Sequence, residues 1–74
     1  IIPSIRVFPN PTTSKWTIEF SRVINTLTLF NLLGQKVLEQ TANNTKVSID
    51  ASNLKTGVYM LQINNTIMKR MIKR

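Results

Sequence analysis

The sequence contains no cysteine and no histidine, and only three of its 74 residues are acidic. Neither a disulfide framework nor a zinc site can therefore hold the fold together, so stability must come from a compact apolar core. Acid–base or nucleophilic catalysis needs a tuned titratable group, usually with a second one in reach. The acids are Glu19, Glu39 and Asp50, and the two glutamates lie in alternating runs where a solvent-facing charge is expected. This composition predicts a protein that is not an enzyme and that has no metal site and no cofactor.

Glycine-rich loops, long apolar runs and an initiator methionine are also missing. The two glycines, Gly34 and Gly57, cannot form a phosphate-binding loop. No apolar run approaches the ~18 residues of a membrane span, and no signal peptide is visible. A chain of 74 residues makes one small domain, which buries only about 60% of its unfolded surface. We expect residues 1–74 to be a single domain and a piece of a longer protein, whose export signal would lie upstream.

Basic residues outnumber acidic ones, with ten Lys and Arg and a formal net charge of +7. Such an excess favours an anionic partner, such as nucleic acid, a lipopolysaccharide surface or an acidic protein face. The cations are mostly scattered singly, and only the last segment, KRMIKR, concentrates them. A single-strand nucleic-acid binder also needs aromatic residues between its cations, and the aromatics here fall inside apolar strand patterns. We therefore expect no nucleic-acid partner.

Alternating apolar and polar residues predict short β-strands along the whole chain. The clearest runs are residues 15–20, 46–50 and 57–63, with polar links expected at 21–22 and 41–44. About seven such strands, with turn signals between them, predict an all-β, immunoglobulin-like antiparallel sandwich of the Greek-key type. The residues expected to face its core in the three clearest runs are Trp16, Ile18, Phe20, Val47, Ile49, Tyr59, Leu61 and Ile63.

The segment 27–40 fits either a helix with a leucine stripe or a β-hairpin. Residues 26–29 alternate, and threonine suits a strand better than a helix. Asn31 supplies a turn acceptor, and Gly34 is free to take the positive φ that ends such a turn. We predict a hairpin, with Gly34 as its turn residue and Val37 facing inward on the strand that follows.

Two segments predict connections. Pro9, Asn10 and Pro11 include two residues without a backbone N–H, so they suit a rigid corner between sheets and not a central strand. Asp50 is a helix-cap residue, but the segment after it is too short for a packed helix. It predicts a single turn, with Leu54 closing one end of the core.

Residues 54–59 have the pattern of a tyrosine corner, in which a tyrosine at the start of a strand sends its hydroxyl back to upstream backbone. Tyr59 is the tyrosine of that pattern. Farther along, Asn64 and Asn65 predict a tight turn with positive φ. The last segment, TIMKRMIKR, fits a helical stripe or a strand, and the short turn before it favours an edge strand whose charges discourage unwanted pairing.

Four segments resemble one known family in their order and spacing: VFPNPTTSKWTIEF, LFNLLGQKVL, IDASNLKTGVYMLQI and KRMIKR. The family is the C-terminal sorting domain of the type IX secretion system, type A, found on secreted cargo of Bacteroidetes. The resemblance runs from Val7 to Arg74. It implies a non-catalytic, immunoglobulin-like domain attached to an unrelated N-terminal cargo. The cargo would be secreted or held at the cell surface after passing through the periplasm and outer membrane.

The resemblance also implies partners and residue roles. An outer-membrane translocon recognises the domain, and a sortase-like peptidase then removes it, while the cargo is released or joined to an anionic lipopolysaccharide. In this family the last residues are the part most often needed for export. Translocon recognition is accordingly expected at Lys69, Arg70, Met71, Ile72, Lys73 and Arg74, with Gln35 as a further exposed candidate. The positions that match the family as scaffold are Pro9, Asn10, Pro11, Gly34, Asp50, Leu54, Gly57 and Tyr59.

Two other functions stay open on the sequence. One is an immunoglobulin- or fibronectin-like spacer or binding module of an extracellular protein, because a sandwich hosts many functions. The other, which the aromatics inside the strand patterns disfavour most, is a small basic nucleic-acid binder, whose binding would depend steeply on salt. A spacer should tolerate loss of residues 69–74, whereas a sorting signal should not. Strand order and oligomeric state are open as well, and the basic edge could pair two copies in a dimer.

Overall fold

The computed structural model describes residues 4–74, which form five β-strands. They are β1 (Ile5–Phe8), β2 (Lys15–Phe30), β3 (Lys36–Asp50), β4 (Gly57–Ile63) and β5 (Ile67–Lys73). All strand pairs are antiparallel and belong to one curled sheet. The predicted class, an all-β antiparallel fold of the immunoglobulin-like sandwich type, is confirmed. Within this described part, no helix is long and apolar enough to span a membrane.

β2 and β3 are longer than the predicted strands, which lowers the strand count from about seven to five. The polar segments expected as links, residues 21–22 and 41–44, are continuous parts of β2 and β3. The register between the two strands shifts between Glu19 and Ile24 and again between Ile24 and Thr26. Bulges of this kind bend a strand without ending it, so a polar, exposed stretch there needs no turn.

β2 lies at the centre of the sheet, and its two parts belong to different layers of the fold. Its first part, residues 15–20, pairs with β1 on one side and with the end of β3 on the other. Its last part, residues 26–30, pairs with the start of β3 and with β4, and β4 pairs with β5. Because the sheet curls at the bulges, the apolar faces of both parts enclose one core.

The core contains every residue that the alternation placed inward in the three clearest runs. Trp16 meets Tyr59 edge-to-face, with ring centroids 6.4 Å apart and planes at 75°, and so connects β2 to β4. Fully burying one large apolar side chain contributes about 1.5–3 kcal/mol, which is a large share of the stability of a small domain. The buried apolar residues are Trp16, Ile18, Phe20, Ile24, Leu27, Leu29, Val47, Ile49, Ala51, Tyr59, Leu61, Ile63 and Met71.

The prediction that Val37 faces inward is wrong. Val37 is 41% exposed, whereas Leu38 packs against the core. Leu29 pairs with Leu38 and Phe30 pairs with Lys36, so Val37 is the extra residue of a bulge. Because directly paired residues share one face of a sheet, buried Leu29 places Leu38 inward.

Candidate recognition site

β5 contains most of the residues that the sequence marks for recognition, and it divides them between two faces. Met71 is fully buried, and Lys73 is 7% exposed with its Nζ donating to the carbonyl oxygen of Arg74 at 3.2 Å. Arg70 and Arg74 are exposed on the opposite face. The half-buried members of the set are Lys69 and Ile72. In the folded domain, a partner therefore meets the exposed and half-buried side chains, and Met71 belongs to the core.

From Arg70 to Arg74, the outer edge of β5 is covered by the connection between β1 and β2. The Asn10 amide accepts a hydrogen bond from Ile72 N at 2.9 Å and donates one to Arg70 O at 3.0 Å. Thr12 N donates to Ile72 O at 3.0 Å, and Arg74 N donates to Thr12 O at 2.7 Å. A docking strand would pair with these same backbone groups, so strand addition here requires the connection to leave first.

Asn10 pairs with β5 through its side chain, between two residues that cannot donate. Pro9 and Pro11 have no backbone N–H. The amide of Asn10 offers both a donor and an acceptor and so replaces a peptide group in the ladder. The segment predicted as a corner thus also closes a sheet edge. Sequence reasoning missed this second role, because the bonded positions are 60 and 62 residues away.

The hairpin between β2 and β3 presents two exposed leucines, Leu32 at 70% and Leu33 at 84% exposure. Asn31 holds the turn, because its Oδ1 accepts from Leu33 N at 2.9 Å and from Gln35 N at 3.0 Å. Gly34 has a φ of +83°, which favours glycine. The predicted hairpin is confirmed. The Gln35 side chain accepts a bond from Asn31 Nδ2 at 2.9 Å, and the leucines, which sequence reasoning did not single out, are the prominent exposed feature.

The loop between β3 and β4 has the hydrogen bond of a tyrosine corner. The Tyr59 hydroxyl donates to the carbonyl oxygen of Lys55 at 2.7 Å, and Leu54 packs against the core nearby. At the start of the loop, Asp50 Oδ1 accepts from Ser52 Oγ at 2.7 Å and from Ser52 N at 2.9 Å. These two bonds stabilise the carboxylate and hold the pKa of Asp50 below its ordinary value.

Asn64 connects the turn between β4 and β5 to the bulge of β2. Its φ of 53° and the 60° of Asn65 confirm the predicted positive-φ turn. Its Oδ1 accepts from Asn25 N at 2.7 Å and Thr26 N at 3.2 Å, and its Nδ2 donates to Val23 O at 3.0 Å. The ladder between β2 and β4 ends at the pair Leu27 and Ile63, so these backbone groups lie beyond it, and the Asn64 amide pairs them. Sequence reasoning found the turn but not this contact.

The ion pairs of the described residues lie on β1, β2 and β3. Glu19 meets Arg6 at 3.4 Å and Lys46 at 3.7 Å, and Lys36 meets Glu39 at 3.2 Å. An open cleft of about 370 Å³ lies beside these residues, and its charged lining residues are Arg6, Glu19 and Lys46. They already pair with one another, so no charge at this cleft is left without a partner. Between residues 4 and 74, no three acidic side chains are grouped so as to hold a metal ion.

The chain matches one protein family over residues 6–74, the family described as secretion system C-terminal sorting domain. It is 36% identical to an ulvan lyase of Nonlabens ulvanivorans over 64 residues, which are 84% of this chain and 12% of that protein. It is 30% identical to an endo-acting ulvan lyase of Formosa agariphila over 74 residues, which are 92% of this chain and 14% of that protein. The chain thus spans only a small part of these relatives.

Proposed function

Because the chain belongs to the family of secretion-system C-terminal sorting domains, we propose that it carries an attached N-terminal cargo through the outer-membrane translocon of a type IX system. It is a sorting signal, and proteins that carry it are secreted or held at the cell surface. The observation that supports the translocon role is the family match over residues 6–74. The fold is compatible with it, since a tag needs a core of its own and exposed features that a partner can bind.

Membership of the sorting-domain family also suggests the cargo and the processing step. Both relatives are ulvan lyases that match through a small part of their length, so a lyase of this kind is the proposed cargo. A sortase-like peptidase would then cut at or upstream of Ile1. Among the described residues, β1 forms one edge of the sheet and pairs with β2, and Ser4 just before it is exposed.

We assign translocon recognition to side chains that the fold leaves accessible. On β5 and directly after it, Arg70 and Arg74 present guanidinium groups without an acidic partner among the described residues. Met71 and Lys73 act through the fold instead, because they are buried. The further accessible residues of the proposed set are Lys69, Ile72, Leu32, Leu33 and Gln35.

An export assay with point variants tests this assignment better than truncation. Removing residues 69–74 takes Met71 out of the core and deprives Asn10 and Thr12 of their partners, so misfolding would imitate loss of a signal. Two double variants keep the core intact, Arg70→Gln with Arg74→Gln, and Leu32→Ser with Leu33→Ser. The matched control for the first changes two cations elsewhere, and it consists of Arg22→Gln with Lys46→Gln.

The chain is fused behind a fluorescent passenger with a periplasmic signal peptide and expressed in a bacterium with a type IX system. We expect passenger in the medium or on the surface of the intact strain and in the periplasm of a translocon-null strain. The arginine or leucine variant should lower the exported fraction about tenfold, which corresponds to about 1.4 kcal/mol of recognition energy, while the control exports normally. A well-folded wild-type fusion left in the periplasm of both strains would favour the spacer or binding module.

A further inference from the structure

The unpaired cations of the described chain gather along β5 and around its end. The glutamates are engaged elsewhere, Glu19 with Arg6 and Lys46, and Glu39 with Lys36. Between residues 4 and 74, the other cations have no acidic side chain within 4.0 Å. They are Lys15, Arg22, Lys55, Lys69, Arg70, Lys73 and Arg74. All of these except Arg22 belong to β5 or to the segments that meet its end.

Two connections bring further cations to the end of β5. Thr12 bridges to Lys73, and the Thr12 hydroxyl donates to the carbonyl oxygen of Lys15 at 2.7 Å. Gly57 pairs with Lys73, and Lys55 lies two residues before this glycine in the chain. Lys15 and Lys55 are exposed, so they extend the charge of β5 beyond its last residue. We call this set the basic strip, and its exposed members are Lys15, Lys55, Arg70 and Arg74. Lys69 is half-buried on the other face of β5, the face of Met71, and is left out of the set.

The basic strip is extended, and this limits what it can bind. Arg70 and Arg74 are four positions apart on one strand, so their Cα atoms are about 13 Å apart at ~3.3 Å per residue. This spacing lets a polymer with repeated anionic groups place a separate group at each arginine. Asp50 lies opposite Lys15 in the backbone register of β2 and β3, and it is the acidic neighbour of the strip. Its Oδ1 accepts a hydrogen bond from Ser52 N. The strip keeps a clear positive excess.

The aromatic residues decide which polyanion the strip suits. Binding of single-stranded nucleic acid uses exposed aromatic rings on which bases stack. Here Trp16, Phe20 and Tyr59 are buried, and Phe8 and Phe30 are half-buried. The family match also places the domain on secreted or surface proteins, so an extracellular polyanion suits it better than a nucleic acid. We propose that the basic strip binds a linear anionic polysaccharide whose sugar units carry carboxylate or sulfate groups.

This proposal is independent of the translocon, because the purified 74-residue chain is sufficient to test it. Titration calorimetry compares dextran sulfate and polygalacturonate with uncharged dextran at several NaCl concentrations. The strip variant combines Lys55→Gln and Arg74→Gln. The matched control, Arg22→Gln with Lys46→Gln, has the same net charge, and thermal unfolding shows that both variants fold.

We expect both anionic polymers to bind, dextran to give no signal, and affinity to fall steeply with salt through release of condensed counterions. The strip variant should bind roughly tenfold more weakly, since it loses two of the cations that displace counterions, while the control binds like the wild type. Equal weakening of both folded variants would overturn the proposal, because net charge alone would then explain binding. Tighter binding of duplex DNA of matched charge would assign the strip to nucleic acid instead.

Discussion

At the residue scale, three asparagine side chains replace backbone groups in this fold. Asn10 pairs with the edge of β5, Asn31 closes the hairpin turn, and Asn64 pairs with the bulge of β2. Each amide has a donor and an acceptor in nearly the arrangement of a peptide group. The sequence places all three in turns or corners. The contacts of Asn10 and Asn64 could not be predicted, because they join positions brought together only by the folded sheet.

Asn64→Gly should lower the free energy of unfolding by about 1–3 kcal/mol. Glycine tolerates the φ of 53° at this position, so the loss isolates the side-chain hydrogen bonds to β2. Asn65→Gly is the matched control, since Asn65 is exposed and has a φ of 60° in the same turn. Urea unfolding followed by tryptophan fluorescence measures both variants. Equal stability of the two would contradict the role assigned to the Asn64 amide.

Protonation of the Asp50 carboxylate should lower the stability of the domain in acid. Its folded-state pKa lies below the ordinary value of 3.8, first because Ser52 Oγ donates to it and then because Ser52 N does. The carboxylate therefore stabilises the fold above pH 3.8, and this contribution is lost as the pH falls through the lower folded pKa. Urea unfolding between pH 2 and 6 should show a decline at the acid end that is smaller in Asp50→Asn and in Ser52→Ala. An unchanged decline in both variants would contradict the contribution assigned to the Asp50 carboxylate.

At the element scale, alternation predicts what each strand buries but not where each strand ends. The inward residues of 15–20, 46–50 and 57–63 are all buried, because successive side chains of a strand point to opposite faces. The pattern failed at the bulges, where one extra residue reverses the faces and turned Val37 outward. Sequence reasoning likewise grouped residues 69–74 as one recognition segment, whereas the strand alternates them between core and solvent.

Met71→Ala should lower the free energy of unfolding by about 2–4 kcal/mol. Met71 is fully buried in β5, so truncation removes core contacts and leaves a cavity. Met68→Ala is the matched control, because Met68 lies on the same strand and is 48% exposed, and we expect a change below about 0.5 kcal/mol. Chemical unfolding compares them. If Met71→Ala were as stable as Met68→Ala, Met71 would return to the set of side chains available for recognition.

At the scale of the whole molecule, the net charge of +7 is unevenly distributed. Glu19 and Glu39 neutralise cations of β1 and β3, while the basic strip has Asp50 as its acidic neighbour in the described residues. Exposed ion pairs contribute about 0–1 kcal/mol each, so the pairs offer little stability in return. Mutual repulsion along the strip opposes the folded state. The positive potential that causes this repulsion also attracts an anion to the strip.

Raising NaCl from 10 to 150 mM should therefore stabilise the domain, by about 0.5–1 kcal/mol, because the Debye length falls from about 30 Å to about 8 Å. Screening weakens both the ion pairs and the repulsion among unpaired cations, and the cations without a pair are more numerous. Urea unfolding across the salt series measures the effect. Lys55→Gln with Arg74→Gln should flatten the dependence, whereas Arg22→Gln with Lys46→Gln should preserve it. A loss of stability with salt would mean that the pairs at Glu19 and Glu39 outweigh repulsion along the basic strip.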